Sequence, residues 1–208
     1  ARQSIFLIGW DFDTRIHLLR KVGDRVRRVT SEVGWATYNG ETGGNRHTAL
    51  RGITPDNVST LSMQWMATIP EAGSLQVTPV VVDGVMYITA RNQVVALDAG
   101  SGRRLWEYKR PPTKGLAGGW ANRGVGVAGD RVFVMTDHAH LLALHRFTGE
   151  LLWDTTLADW RKNYSATSAP LPAGDLVITG VAGGEYGSKG FLAAFDQATG
   201  REVWRFRT

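Results

Sequence analysis

The chain of 208 residues has no cysteine. Disulfides and thiolate metal sites are therefore excluded, and the redox compartment cannot be read from thiol usage. No apolar run approaches the length needed to span a bilayer, which excludes a transmembrane helix. The chain does not open on Met. Residues 4–10 are apolar, but Asp11 and Asp13 follow at once, so no signal peptide is read there. Motifs for several chemistries are missing too. There is no Ser-His-Asp order in a nucleophile-elbow context, and Gly115, Gly118 and Gly119 are not followed by the Lys-Ser or Lys-Thr of a phosphate loop. No Cys-x-x-Cys-His can attach a c-type haem. The formal net charge is +5, but residues 1–30 hold seven Arg or Lys against three Asp, whereas residues 31–208 are balanced at 17 against 16. No aromatic residues interleave the basic stretch 15–28. It reads as a solvated junction, and no nucleic-acid partner is expected.

What the chain does contain is one pattern in three copies. Ala96-Leu97-Asp98 leads to Ser101-Gly102 and Trp106. Ala143-Leu144-His145 leads to Thr148-Gly149 and Trp153, and Ala194-Phe195-Asp196 leads to Thr199-Gly200 and Trp204. The tryptophans fall 47 and 51 residues apart. A period near fifty with several short strands per unit is the mark of a β-propeller. Each apolar run suits a strand buried on both faces. The glycine supplies the positive φ of a tight turn. The Asp four positions before it can accept backbone N–H groups within the turn. His145 takes that place in the second copy, so its turn should be less well tied. The alanine lets a neighbouring blade approach, and the tryptophan has the area to fill the space between blades.

Earlier strands complete each unit. Residues 75–82 and 85–90 flank Asp83-Gly84; 124–128 and 132–136 flank Gly129-Asp130; 168–172 and 176–180 flank Gly174-Asp175. The fold class is therefore all-β, a partial β-propeller of about three four-stranded blades, at 74–110, 121–157 and 165–208. Residues 63–69, with Trp65, read as one further strand, the outer strand of a closing blade. Thr54 as N-cap and Pro55 at the first helical position predict a short helix over 55–61.

Two resemblances divide the chain into 1–30 and 31–208. Residues 1–15, with the apolar strand ending in Gly9-Trp10-Asp11-Phe12-Asp13, resemble the N-terminal strand of bacterial phospholipase D-like proteins. That family acts through paired His-x-Lys motifs. His17 is followed by Leu18 and Leu19, so no such activity is implied. Residues 33–208 resemble the N-terminal part of quinoprotein alcohol dehydrogenases, eight-bladed propellers that bind pyrroloquinoline quinone (PQQ). The likeness rests on Trp35-Ala36-Thr37-Tyr38-Asn39-Gly40, Gly43-Gly44-Asn45-Arg46, Ile53-Thr54-Pro55-Asp56-Asn57-Val58 and the inner segments below.

The resemblance implies a small alcohol or sugar substrate, PQQ and Ca²⁺ as cofactors, an electron acceptor and a periplasmic location. PQQ carries three carboxylates and an ortho-quinone, so its site needs cations and donors around the rim and a divalent ion at the quinone edge. Gly183-Gly184-Glu185-Tyr186-Gly187 matches the family segment whose backbone approaches the cofactor and whose glutamate binds Ca²⁺. That implies Gly183 and Gly184 at the cofactor and Glu185 at the metal. Asn122-Arg123-Gly124 matches the family's Asn-Arg-Gly, with Arg123 meeting the cofactor edge. Ala117-Gly118 stand where many relatives carry paired cysteines. Thr167 matches a cofactor-facing threonine. Gln76 stands where many relatives have Glu, and Ala182 where many have Ser. The family's tryptophan platform, further metal ligand and catalytic Asp lie later than the third blade, so no catalytic residue is assigned, and the polypeptide alone is expected to be inactive. Remaining blades or another chain would close the ring. His138 and His140 alternate like one strand face, which leaves turn chemistry and a ligand pair both open. The competing function is a non-catalytic propeller scaffold for protein–protein interaction in the bacterial envelope.

Overall fold

The computed structural model describes residues 4–9, 20–22, 25–27, 35–40, 43–47, 51–70, 75–116, 118 and 121–208. Most of the phospholipase-like stretch, part of the 15–28 basic stretch, and Ala117, Gly119 and Trp120 lie outside those residues. Within the early chain, strand β1 (Ser4–Gly9) precedes a short hairpin of β2 (Arg20–Val22) and β3 (Arg25–Arg27). Strand β4 (Trp65–Pro70) pairs antiparallel with β1, so the strand expected at 63–69 has a partner from the other end of the division at residue 30.

Three four-stranded antiparallel sheets follow, each in sequence order. Blade 1 is β5 (Val80–Val82), β6 (Val85–Ala90), β7 (Gln93–Asp98) and β8 (Arg104–Lys109). Blade 2 is β9 (Gly126–Ala128), β10 (Arg131–Met135), β11 (His140–His145) and β12 (Leu151–Thr156). Blade 3 is β13 (Leu171–Ala173), β14 (Leu176–Gly180), β15 (Phe191–Asp196) and β16 (Glu202–Arg207). The partial propeller is thus as the repeat predicts.

The first strand of blade 1 starts later than expected, at Val80 where 75 was read, and that of blade 2 at Gly126 where 124 was read. The residues just before them bond sideways to the next blade. The Thr78 N–H donates to the Arg123 carbonyl (3.2 Å), and the Arg123 N–H donates to the Thr167 carbonyl (3.0 Å). A backbone group bonded across a seam is not available to its own sheet. The expected helix at 55–61 is also corrected. Only a single 3₁₀ turn forms, Val58–Thr60, and the Thr54 side chain caps nothing. Asn57 competes: its side chain accepts the Thr54 N–H (2.8 Å) and donates to the Gly52 carbonyl (2.8 Å), which favours a turn over a helix.

The blades stack on one another through apolar sheet faces. Between blades 1 and 2 lie Val80, Tyr87, Val94 and Trp106 against Val132, Val134, Leu142 and Leu144. Between blades 2 and 3 lie Phe133, Met135 and Leu141 against Val177, Phe191 and Phe195. The repeat alanines 96, 143 and 194 are fully buried. Three tryptophans dock on the turn of the following repeat. Trp65 Nε1 donates to the Ala99 carbonyl (2.9 Å), Trp106 to Arg146 (2.8 Å) and Trp153 to Gln197 (3.1 Å). The turn glycine lies beneath the indole: a Cβ on Gly149 would stand 2.6 Å from Trp106, and one on Gly200 2.6 Å from Trp153. These glycines therefore serve twice, by positive φ and by absence of a side chain.

The turns differ as expected. Asp98 Oδ1 accepts both the Ser101 N–H (2.8 Å) and hydroxyl (2.7 Å), and Asp196 does the same with Thr199 (2.8 and 2.7 Å). His145 meets only the Thr148 hydroxyl (2.9 Å). The next residue compensates. Arg146 is buried and reaches back to blade 1, bonding Asp83 Oδ2 (2.5 Å), the Val82 carbonyl (3.2 Å) and the Tyr87 hydroxyl (3.3 Å).

Candidate functional site

Antiparallel pairing gathers certain segments at one end of the blades. These are the approaches to β5, β9 and β13, the β6–β7 and β10–β11 hairpin tips, and the long β14–β15 loop. Every residue implied for cofactor or metal lies there.

Arg123 and Thr167 are in direct contact. Arg123 Nη1 donates to Thr167 Oγ1 at 2.6 Å, and the two backbones are joined as above. Asn122 is buried and holds the segment: its Nδ2 donates to the Met135 carbonyl (2.8 Å) and its Oδ1 accepts the Gly124 N–H (3.0 Å). Gly124 has φ +133, and a Cβ there would stand 3.1 Å from the Thr78 carbonyl oxygen. Asn and Gly thus fix the backbone, and Arg123 supplies the charge. Among the described residues its guanidinium has no carboxylate partner, although it is partly buried. Gln76 is exposed, on the neighbouring approach to β5, and makes no side-chain hydrogen bond within the described residues.

Gly183 opens a 3₁₀ turn, Gly184–Tyr186. Its φ is +119, and a Cβ would collide with the Asn163 carbonyl oxygen, so glycine is required there by the chain's own packing. Gly184 has open space around it. Glu185 is exposed, with no hydrogen-bond or ion partner among the described residues. Ser165 and Ala182 exchange two backbone bonds (3.0 and 2.8 Å), which sets this loop beside the strand approach that carries Thr167. Tyr186 packs over Gly118, where a Cβ would stand 3.2 Å from its ring. No hydrogen bond or ion pair joins Glu185 to Arg123 or Thr167 within the described residues. Among those residues, no three His, Cys, Asp or Glu side chains gather as a metal cage.

A polar cluster at the same end holds His138 and His140, which the sequence singles out, and Asp137, whose part sequence reasoning passed over. Asp137, in the β10–β11 hairpin, has a side chain with no exposure and accepts from Arg91 Nε (3.0 Å), the Thr113 N–H (2.9 Å) and the Thr113 hydroxyl (2.8 Å). Its own N–H donates to Asn92 Oδ1 (2.8 Å). Burial alone would raise its carboxyl, but bonds from Thr113, Asn92 and Arg91 outweigh burial and hold it below the ordinary carboxylate range. The rings of His138 and His140 stack at 3.8 Å. His138 is buried between Arg110 Nη1 (2.6 Å) and Thr136 Oγ1 (2.7 Å); His140 bonds Asp154 Oδ1 (2.6 Å) and Thr156 Oγ1 (3.1 Å). Burial, then His140 and Arg110, push His138 down to about 4. Of the two readings left open for this pair, the geometry favours hairpin chemistry, since each ring nitrogen meets a protein partner. The signal available in the sequence was only an Asp at a hairpin tip, Asp137; Ala139, two residues on, takes φ +62, which its residue type does not announce.

Comparison with known proteins shows the family of the chain. Residues 35–208 match the family model described as PQQ, glucose/ethanol/alcohol dehydrogenase, β-propeller domain. The chain is 36% identical over 194 residues to quinohemoprotein alcohol dehydrogenase ADH IIB of Pseudomonas putida, covering 90% of this chain and 28% of that protein. It is 39% identical over 168 residues to 1-butanol dehydrogenase (cytochrome c) of Thauera butanivorans, covering 78% of this chain and 24% of that protein. Among solved structures, a europium-containing methanol dehydrogenase superimposes with a TM-score of 0.77 at 30% identity, over 86% of this chain and 32% of that one. The chain therefore spans about a quarter to a third of the length of these relatives.

Proposed function

The chain belongs to the PQQ glucose/ethanol/alcohol dehydrogenase β-propeller family, and from that premise we propose that it supplies part of the cofactor site of a PQQ- and Ca²⁺-dependent dehydrogenase of alcohols or sugars. The observation that carries the reading is the Arg123 guanidinium. It is partly buried and has no carboxylate partner among the described residues, and it is held on Thr167 Oγ1 at 2.6 Å. A half-desolvated cation without a counter-ion is suited to an anionic ligand, and a guanidinium fork suits carboxylates. Bound PQQ would supply the ortho-quinone that accepts hydride from the substrate.

The chain's own residues bind and orient. Arg123 meets a carboxylate of the rim. Thr167 fixes the guanidinium and presents its remaining hydroxyl capacity, and Gln76 offers an amide to the same rim without adding charge. Gly184, with no side chain and open space, allows close backbone approach. Glu185 offers one carboxylate to Ca²⁺. A calcium ion takes about six to eight oxygens, so the cofactor and other residues would complete the shell. The catalytic base is not among the residues assigned. We place the protein in the periplasm, with an electron acceptor as partner and further blades or another chain against blade 3. No helix among the described residues is long and apolar enough to cross a membrane.

The test is PQQ titration with and without Ca²⁺, followed by quenching of tryptophan fluorescence. Saturable, Ca²⁺-enhanced binding is expected. Arg123→Ala should weaken it about ten- to a hundredfold, the range of a hydrogen bond to a charged group. Glu185→Ala should remove the Ca²⁺ dependence and leave the metal-independent part. If neither this chain nor one extended to eight blades binds PQQ, the cofactor reading fails and the non-catalytic scaffold stands.

A further inference from the structure

We propose that Asp137 is a positioning residue for Arg123. The inference rests on the reading of Arg123 as the cation at the cofactor rim. The connection from β8 to β9 carries Arg123, and one hairpin of blade 2 grips it at both ends. At its start, Thr113 donates its N–H (2.9 Å) and its hydroxyl (2.8 Å) to the two oxygens of Asp137. At its end, Asn122 Nδ2 donates to the Met135 carbonyl (2.8 Å). Met135 closes β10 and Asp137 stands two residues on, so both ends of the connection are fixed on one short piece of backbone.

Blade 1 is drawn into the same clamp. Arg91 Nε donates to Asp137 (3.0 Å), and Asn92 both accepts the Asp137 N–H (2.8 Å) and donates to the Pro111 carbonyl (3.2 Å). A carboxylate without solvent is costly unless its oxygens are met by donors, and here three donors meet them. Once Asn122 is fixed, little freedom remains to Arg123. Its N–H is given to the Thr167 carbonyl (3.0 Å), its carbonyl accepts the Thr78 N–H (3.2 Å), and Gly124 is held by Asn122 Oδ1 (3.0 Å). The guanidinium direction is thereby set by a carboxylate that need never touch the ligand. A group that only joined blades 1 and 2 would need no tie to the connection; the two bonds to Thr113 are such a tie.

Amide hydrogen exchange of the chain without cofactor decides this. The variants are Asp137→Asn and the milder Thr113→Val, which keeps the Arg91 and backbone bonds to Asp137. The expected result is about tenfold faster exchange at the Arg123 and Thr78 amides, smaller in Thr113→Val, with the Phe133 and Leu142 amides of blade 2 unchanged. Acceleration confined to Thr113 and its immediate neighbours overturns the proposal. If Asp137→Asn loosens the whole chain, Thr113→Val alone decides, by the same two amides. In PQQ titration, Asp137→Asn should weaken binding about tenfold in the presence of Arg123 and not in an Arg123→Ala background; independent, additive losses overturn the positioning role. Failure of both the unmodified chain and its eight-bladed extension to bind PQQ counts against the cofactor reading, while the exchange result still decides whether Asp137 positions Arg123.

Discussion

Trp106 and Trp204 occupy the same place in the same repeat, yet they sit in opposite environments. Trp106 is 8% exposed, lies over the Gly149 turn and gives its Nε1–H to Arg146. Trp204 is 40% exposed, and Leu171, Leu192 and Phe206 are exposed with it. Pairing aligns Leu171, Ile178, Ala194 and Trp204 in one row across blade 3, so these residues share a face. The opposite face of that sheet, with Val177, Phe191 and Phe195, is buried against blade 2. One motif thus gives a core residue at one seam and a surface residue at another. The tryptophan is a docking group whose worth is set by what docks on it.

Three measurements break or sharpen that comparison. The largest effect should come from truncating the ring. Trp106→Ala should cost about 3–5 kcal/mol in denaturant unfolding, the usual range for a buried Trp or Phe. Trp204→Ala should cost under about 1 kcal/mol, as for a surface change. Equal costs would mean that the blade 3 face is as well covered in solution as the first seam.

The next effect is confined to the seam between blades 1 and 2, where His138 is held neutral. Its folded pKa, about 4, lies below the ordinary histidine value of 6.5. Between those values the unfolded chain binds more protons than the folded one, so stability falls as pH drops from about 6.5 to 4, by at most about 3 kcal/mol. Asp137 and Asp154, both depressed, lose their contributions only as pH falls further, below the ordinary carboxylate value. Thermal unfolding from pH 7 to 4 checks this, and His138→Gln should flatten the slope over that window. An unchanged slope would mean that His138 is not the group that loosens the seam.

The smallest effect concerns the turns under the rings. His145→Asp should restore the carboxylate bonds seen at Asp98 and Asp196 and stabilise the chain by about 0.5–1 kcal/mol. A loss instead would show that the Arg146 clamp depends on the histidine beside it.

The blades were legible because period, turn residue and docking ring all recur. Ala96, Gly102 and Trp106 announce a unit by themselves, since each answers a local demand for small size, positive φ or area. The sideways bonds of Thr78, Arg123 and Thr167 were not legible. They depend on which blade stands beside which, and proline and glycine patterns do not report that. The single 3₁₀ turn at Val58–Thr60 was misread as a helix because Asn57 offered its side chain to Thr54 and Gly52, a local competition that capping rules alone do not weigh. Arg123, Thr167, Gly183, Gly184, Glu185 and Gln76 are proposed for the site by their match to a family pattern, not by any local rule. Asp137 was missed as an anchor because one Asp at a hairpin tip looks like any other.

The sequence by itself determined the strands, their turns and their number per repeat, because those follow from residue periodicity and backbone preference over a few positions. Only the tertiary structure decided which tryptophan is core, that Arg123 is partly buried with no carboxylate partner among the described residues, and that Asp137 is buried. Those depend on contacts between residues tens of positions apart, where burial and charge are set by the neighbour and not by the residue itself.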